Sequence, residues 1–156
     1  MKKILIALDY NPTAQKVAEA GYSLAKAMGA EVILIHVMVD STYYSTTSYS
    51  SVMGFGGYLA TDFLQPDFIV ELKKSTQDFL NQSKRHLGDD SIQTIVKEGD
   101  VADSILETAK ELNIDVIVLG SHSQKWLEAI VLGSVTENVL HHTLIPLYII
   151  PTKNKD

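Results

Sequence analysis

Residues 115–136 read DVIVLGSHSQKWLEAIVLGSVT. Val116–Leu119 form an unbroken apolar row that Gly120 closes. A row that does not alternate with polar residues suits a strand buried on both faces, as in a parallel sheet. A loop follows. Gly133-Ser134 then opens a helix, with Ser134-x-x-Glu137 reading as a capping box ahead of Val135–His142. Strand, glycine turn, loop and helix together are the repeating unit of an α/β fold.

The rest of the chain carries the same unit. Ile4–Leu8, Glu31–Val37, Ile92–Val96 and Leu147–Ile150 are further runs rich in Ile, Val and Leu. Helical spacing lies between them. Asn11 is the expected N-cap of a first helix, with Pro12 in its first position. Ala14, Val17, Ala18, Gly21, Leu24, Ala25 and Met28 follow on one face, and Gly29 is the expected terminator. Phe68–Leu87 reads as a helix with Leu72, Thr76, Phe79, Leu80 and Leu87 inward. Asp100 caps another, which Asn113 ends. The order predicts a single-domain α/β fold, an open, mostly parallel sheet with helices on both faces. The domain spans 1–152, with a flexible insertion at about 39–65 and a disordered tail at 153–156.

The insertion breaks the pattern. Ser41–Thr61 has no charged residue, and Ser41–Ser51 consists only of Ser, Thr and Tyr. It reads as a mobile segment, or as a lid or partner-binding loop using Tyr43, Tyr44 and Tyr49.

Composition narrows the function. There is no cysteine, which excludes disulfides, thiolate metal sites and a Cys nucleophile. Thirteen Lys+Arg against 19 Asp+Glu give a net charge of −6, which argues against nucleic acid. No run approaches the roughly 18–20 apolar residues of a membrane span. Asp9, Asn11 and Pro12 cut the opening apolar run before it reaches signal-peptide length. A cytoplasmic protein without nucleic-acid or membrane partners is expected. His122, His141 and His142 read as solvated or helix-end histidines rather than metal ligands.

In an open parallel sheet, ligands bind beyond the carboxyl ends of the strands. Those ends carry Asp9, Val37, Glu98-Gly99 and Gly120–Ser123. The helix start at Gly133-Ser134 offers unpaired N–H groups and partial positive charge, which suit a phosphate. Ser134 and Thr136 add hydroxyls, and His122 is a candidate auxiliary contact. The bland alternative is that Gly133 only turns the chain and Ser134 only caps the helix.

The spacing Gly120-x2-Ser123-x9-Gly133-Ser134 resembles the Gly-x2-Gly-x9-Gly-Ser/Thr motif of the universal stress protein family. Val135-Thr136-Glu137-Asn138-Val139 continues it. Lys2–Asp9 resembles the family's opening strand with its terminal Asp, and Glu31–Val37 its second strand. Glu98–Ile105 resembles its Gly-x-Pro/Val-x-x-x-Ile segment, and Asp115–Gly120 its fourth strand. The resemblance implies a Rossmann-like, adenine nucleotide alpha-hydrolase-like sheet of five parallel strands ordered 3-2-1-4-5. It implies a homodimer pairing through Leu147–Ile150. It implies a stress-response regulator holding ATP, AMP or ADP, and the acidic balance of the chain favours magnesium alongside the phosphates. Asp9 would contact the ribose, with Ala7, Leu8, Val37 and Leu119 around the adenine. Gly120, Gly133, Ser134, Val135 and Thr136 would hold phosphates. Only Asp9 resembles a general base, and the resemblance gives it to the ribose, so hydrolysis is expected to be slow or absent.

The chain departs from the motif at Ser123, where the family has its second glycine. A left-handed backbone there costs a non-glycine residue about 1–2 kcal/mol, and a Cβ crowds the phosphates. With an ordinary backbone, the Ser123 hydroxyl would replace a backbone donor. Two main functions stay open, a nucleotide-binding regulator and a nucleotide-independent dimeric interaction module in which Ser123 has weakened ATP binding; a slow ATPase or a ligase-like adenylating enzyme is the weaker third.

Overall fold

The computed structural model describes residues 1–9, 12–38, 66–121 and 133–152, without the side chains of 66–68. Asn11, His122, Ser123, the insertion at 39–65 and the tail at 153–156 lie outside the described residues. The elements are β1 (Lys3–Ala7), α1 (Ala14–Met28), β2 (Glu31–Met38), α2 (Pro66–Leu87), β3 (Gln93–Glu98), α3 (Val101–Glu111), β4 (Val116–Gly120), α4 (Ser134–His142) and β5 (Leu147–Ile150). All pairings are parallel, in the order β3-β2-β1-β4-β5. This is the expected sheet. Among the described residues no helix is long and apolar enough to cross a membrane.

Strand alternation divides the core into two layers. Ile4, Ile6, Leu34 and Val118 face α1 and α2, where Val17, Ala18, Ala25 and Leu80 cover them. Leu5, Ile33, Ile35, Ile117 and Leu119 face α3 and α4, under Ala102, Ile105, Ala109 and Val139. Both faces of β1, β2 and β4 are therefore buried, which is why their sequences are continuously apolar. β3 differs. Its side chains are half-buried or exposed, because it has a neighbour on one side only.

Helix ends follow local chemistry. The Asp100 carboxylate accepts the Asp103 amide at 2.9 Å and caps α3. Gly29 (φ 61°) and Asn113 (φ 53°) end α1 and α3 in the left-handed conformation. The next residue's amide then reaches back to Ala25 or Ala109, at 2.9 Å in each case. α1 starts later than expected. Thr13, not Asn11, precedes it, and the Thr13 carbonyl takes the first helical bond from Val17. Pro12 sits in a turn ahead of the helix.

Candidate functional site

The carboxyl ends of β1, β2 and β4 meet the start of α4 around a cleft of about 370 Å³. Ala7, Leu8 and Asp9 arrive from β1, Val37 from β2, Leu119 and Gly120 from β4, and Gly133, Ser134, Val135 and Thr136 from α4. The family resemblance assigns all of these to one site, and the fold places them around one space. His122 and Ser123 fall outside the described residues.

The walls are mostly apolar. Ala14 and Val17 of α1, Ile35 of β2, and Val101 and Ile105 of α3 complete them. Among the described residues lining the cleft, Asp9 is the single carboxylate, and there is no Lys or Arg. Positive potential comes instead from the α4 start, where the first amides have no intrahelical acceptor.

That start differs from the expected capping box. Gly133 is the N-cap: its carbonyl accepts the Glu137 amide at 2.9 Å, and no side chain caps the helix. Ser134 is the first helical residue, so its hydroxyl is not in the capping position. Gly133 has φ −59° and ψ 154°, which any residue adopts. Backbone conformation therefore does not explain the glycine.

Thr136 also differs from expectation. Its hydroxyl donates to the Gly120 carbonyl at 2.9 Å, tying α4 to the end of β4. That proton is committed within the protein, so Thr136 offers a ligand its backbone amide rather than its hydroxyl proton.

Of the lining residues that were not expected from the sequence, three are polar: Thr13, His36 and Thr152. His36 lies between Ile35 and Val37, and its Nδ1 stands 2.6 Å from the Leu8 carbonyl. A carbonyl only accepts, so Nδ1 carries the proton. A polar residue inside an otherwise apolar strand was the available signal. Thr152, just beyond β5, also lines the cleft. Its amide donates to the Ser121 hydroxyl at 3.1 Å, and the Ser121 amide donates to the Ile150 carbonyl at 2.9 Å. No local pattern signals Thr152, because β4–β5 register puts it there.

An apolar slot with a carboxylate at one strand end and exposed amides at a helix start suits a flat heterocycle carrying a hydroxylated, anionic tail. The model of the universal stress protein family matches residues 1–151. The chain belongs to the universal stress protein family.

Within that family, the universal stress protein MJ0577 of Methanocaldococcus jannaschii is 27% identical over 98% of this chain and 96% of its own. The solved structure of MJ0577 matches with a TM-score of 0.71, covering 99% of this chain and 98% of that one at 26% identity. Universal stress protein YxiE of Bacillus subtilis is 29% identical over 95% of this chain and 97% of its own. A universal stress protein of Archaeoglobus fulgidus, solved in complex with dAMP, shares the fold at a TM-score of 0.60 and 18% identity, over 96% of this chain and 97% of that one.

Proposed function

We propose that this chain is a cytoplasmic stress-response regulator that holds an adenine nucleotide, ATP or AMP, in the cleft. The observation that carries the reading is Gly133. It caps α4 without a side chain, in a conformation that does not require glycine. A missing side chain at that position leaves the helix amides open to an external anion. Asp9 stands at the β1 end, where a ribose hydroxyl would need an acceptor. Ala7, Leu8, Val37 and Leu119 supply apolar surface for the base, and Gly120, Gly133, Ser134, Val135 and Thr136 face the phosphates. His122 and Ser123 complete the phosphate end in this reading. The dAMP complex of the Archaeoglobus protein supports the choice of ligand class.

Magnesium accompanies ATP in this reading, because no Lys or Arg among the described lining residues offsets the phosphate charge. The residues give positioning rather than proton transfer, so turnover is slow or absent. The protein pairs with a second copy through β5. Fully exposed Leu144, with Leu140 and Tyr148 also exposed, supports this, since an uncovered apolar edge favours a partner.

The test is calorimetric titration of the full chain with AMP and with ATP plus magnesium. Saturable binding below millimolar nucleotide is expected. No heat with either at millimolar concentration overturns the reading and leaves the nucleotide-independent interaction module.

A further inference from the structure

We propose that the Thr152 hydroxyl donates a hydrogen bond to the phosphate chain of the nucleotide, which makes the residue after β5 part of the binding site. This rests on the nucleotide reading above and adds a contact to it.

Thr152 is 7% exposed, yet it lines the cleft. Its amide is held by Ser121. Among the described residues its hydroxyl has no hydrogen-bond partner, whereas Thr76, Thr108 and Thr136, the other buried threonines there, each donate to a carbonyl. A buried hydroxyl left without a partner costs free energy. Among the described residues no fully sealed side-chain polar atom lacks a partner. The Thr152 hydroxyl therefore keeps some access to open space, and the space beside this residue is the cleft.

Its position selects the phosphate end. Ser121, which anchors Thr152, directly follows Gly120. The Gly120 carbonyl holds Thr136 in the first turn of α4. Thr152 and the Thr136 hydroxyl of the first turn of α4 are thus held by the adjacent residues Ser121 and Gly120. A hydroxyl proton beside amides that attract an anion finds its acceptor in a phosphate oxygen, and hydrogen bonds to charged acceptors are the stronger class. The residues given above to the base and the ribose, Ala7, Leu8, Asp9, Val37 and Leu119, make none of these hydrogen bonds.

The test is titration of wild type, Thr152→Val and Thr152→Ser with ATP plus magnesium and with adenosine. Valine keeps the shape and removes only the hydroxyl. Serine keeps the hydroxyl and removes only the methyl. The expected result is about a tenfold weaker ATP affinity for Thr152→Val, unchanged adenosine affinity, and near wild-type ATP affinity for Thr152→Ser. Thr152→Val within about twofold of wild type for ATP overturns the assignment. So does an equal loss for adenosine, or a ranking in which serine is the damaging change. If the wild type itself takes up neither ligand, the nucleotide reading fails first, which is a distinct result.

Discussion

The Nδ1 nitrogen of His36 on β2 stands 2.6 Å from the carbonyl oxygen of Leu8 at the end of β1. This side chain joins the two strand ends that flank Asp9. The Leu8 amide meanwhile donates to the Ile35 carbonyl at 2.9 Å. His36→Leu leaves the partly buried carbonyl without its side-chain donor. The expected loss of stability is about 1–3 kcal/mol. His36→Asn places an N–H near the Nδ1 position and should recover most of it. Urea unfolding midpoints of the three proteins check this. Equal loss in both variants would assign the effect to ring packing against Phe79, which meets His36 edge-on at 6.2 Å.

Gly21 lies inside α1, where alanine would normally stabilise by about 1 kcal/mol. Here a Cβ would stand 2.7 Å from Ile6 Cδ1 and 3.1 Å from Val118 Cγ1. Ile6 and Val118 are fully buried and have little room to retreat. Overpacking of this kind costs about 1–3 kcal/mol. Gly21→Ala should therefore lower stability despite its helix propensity, by about 1 kcal/mol net. Ile6→Val removes the nearest carbon. The double variant should then be more stable than the sum of the two single changes, measured as a thermodynamic cycle.

Asp115 and Asp89, with Glu19, are held low and contribute to the acid limb of stability. The Lys3 amide, donating to Asp115 at 2.8 Å, holds that carboxyl below its usual range, with Lys2 adding to the effect. The Ser91 hydroxyl and amide, with Tyr22, hold Asp89 low as well. The unfolded chain binds these protons more tightly than the folded one. Stability from both groups is thus fully present above the unfolded aspartate pKa of about 4, and it is lost as pH falls through the lower folded values. Urea midpoints should fall steadily below about pH 4. Asp115→Asn should flatten that slope while lowering the midpoint at neutral pH. An unchanged slope would place the acid sensitivity elsewhere.

The parts of the fold legible in the sequence were those where one physical demand dominates. Strands buried on both faces must be continuously apolar, so Ile4–Leu8, Glu31–Val37 and Val116–Leu119 announced themselves. Gly29, Asp100 and Asn113 marked helix ends because cap geometry favours few residue types. β3 was displaced by two residues at its far end, Glu98 instead of Val96, because an edge strand tolerates polar residues and its pattern fades. The α4 start reads as a capping box because Ser134 and Glu137 have the right spacing, whereas the carbonyl that closes the first turn belongs to Gly133. Thr136 and Thr152 depend on contacts across elements, with Gly120 and Ser121, which no local window contains.

Gly133 offers a prediction in which stability and binding move in opposite directions. Its φ and ψ admit aspartate without strain. In Gly133→Asp, the new carboxylate would accept amides of the first turn and complement the helix dipole. The expected gain in stability is about 0.5–1 kcal/mol. The same carboxylate would occupy the donors that a phosphate needs and repel its charge. ATP affinity should fall about tenfold or more, with adenosine affected least. Gly133→Asn, which caps without a charge, should fall between the two. Thermal unfolding and calorimetry on the same preparations give both readings. A stabilised Gly133→Asp protein with undiminished ATP affinity would show that the phosphates do not rest on α4, because a capped and negatively charged helix start has fewer free amides and repels them.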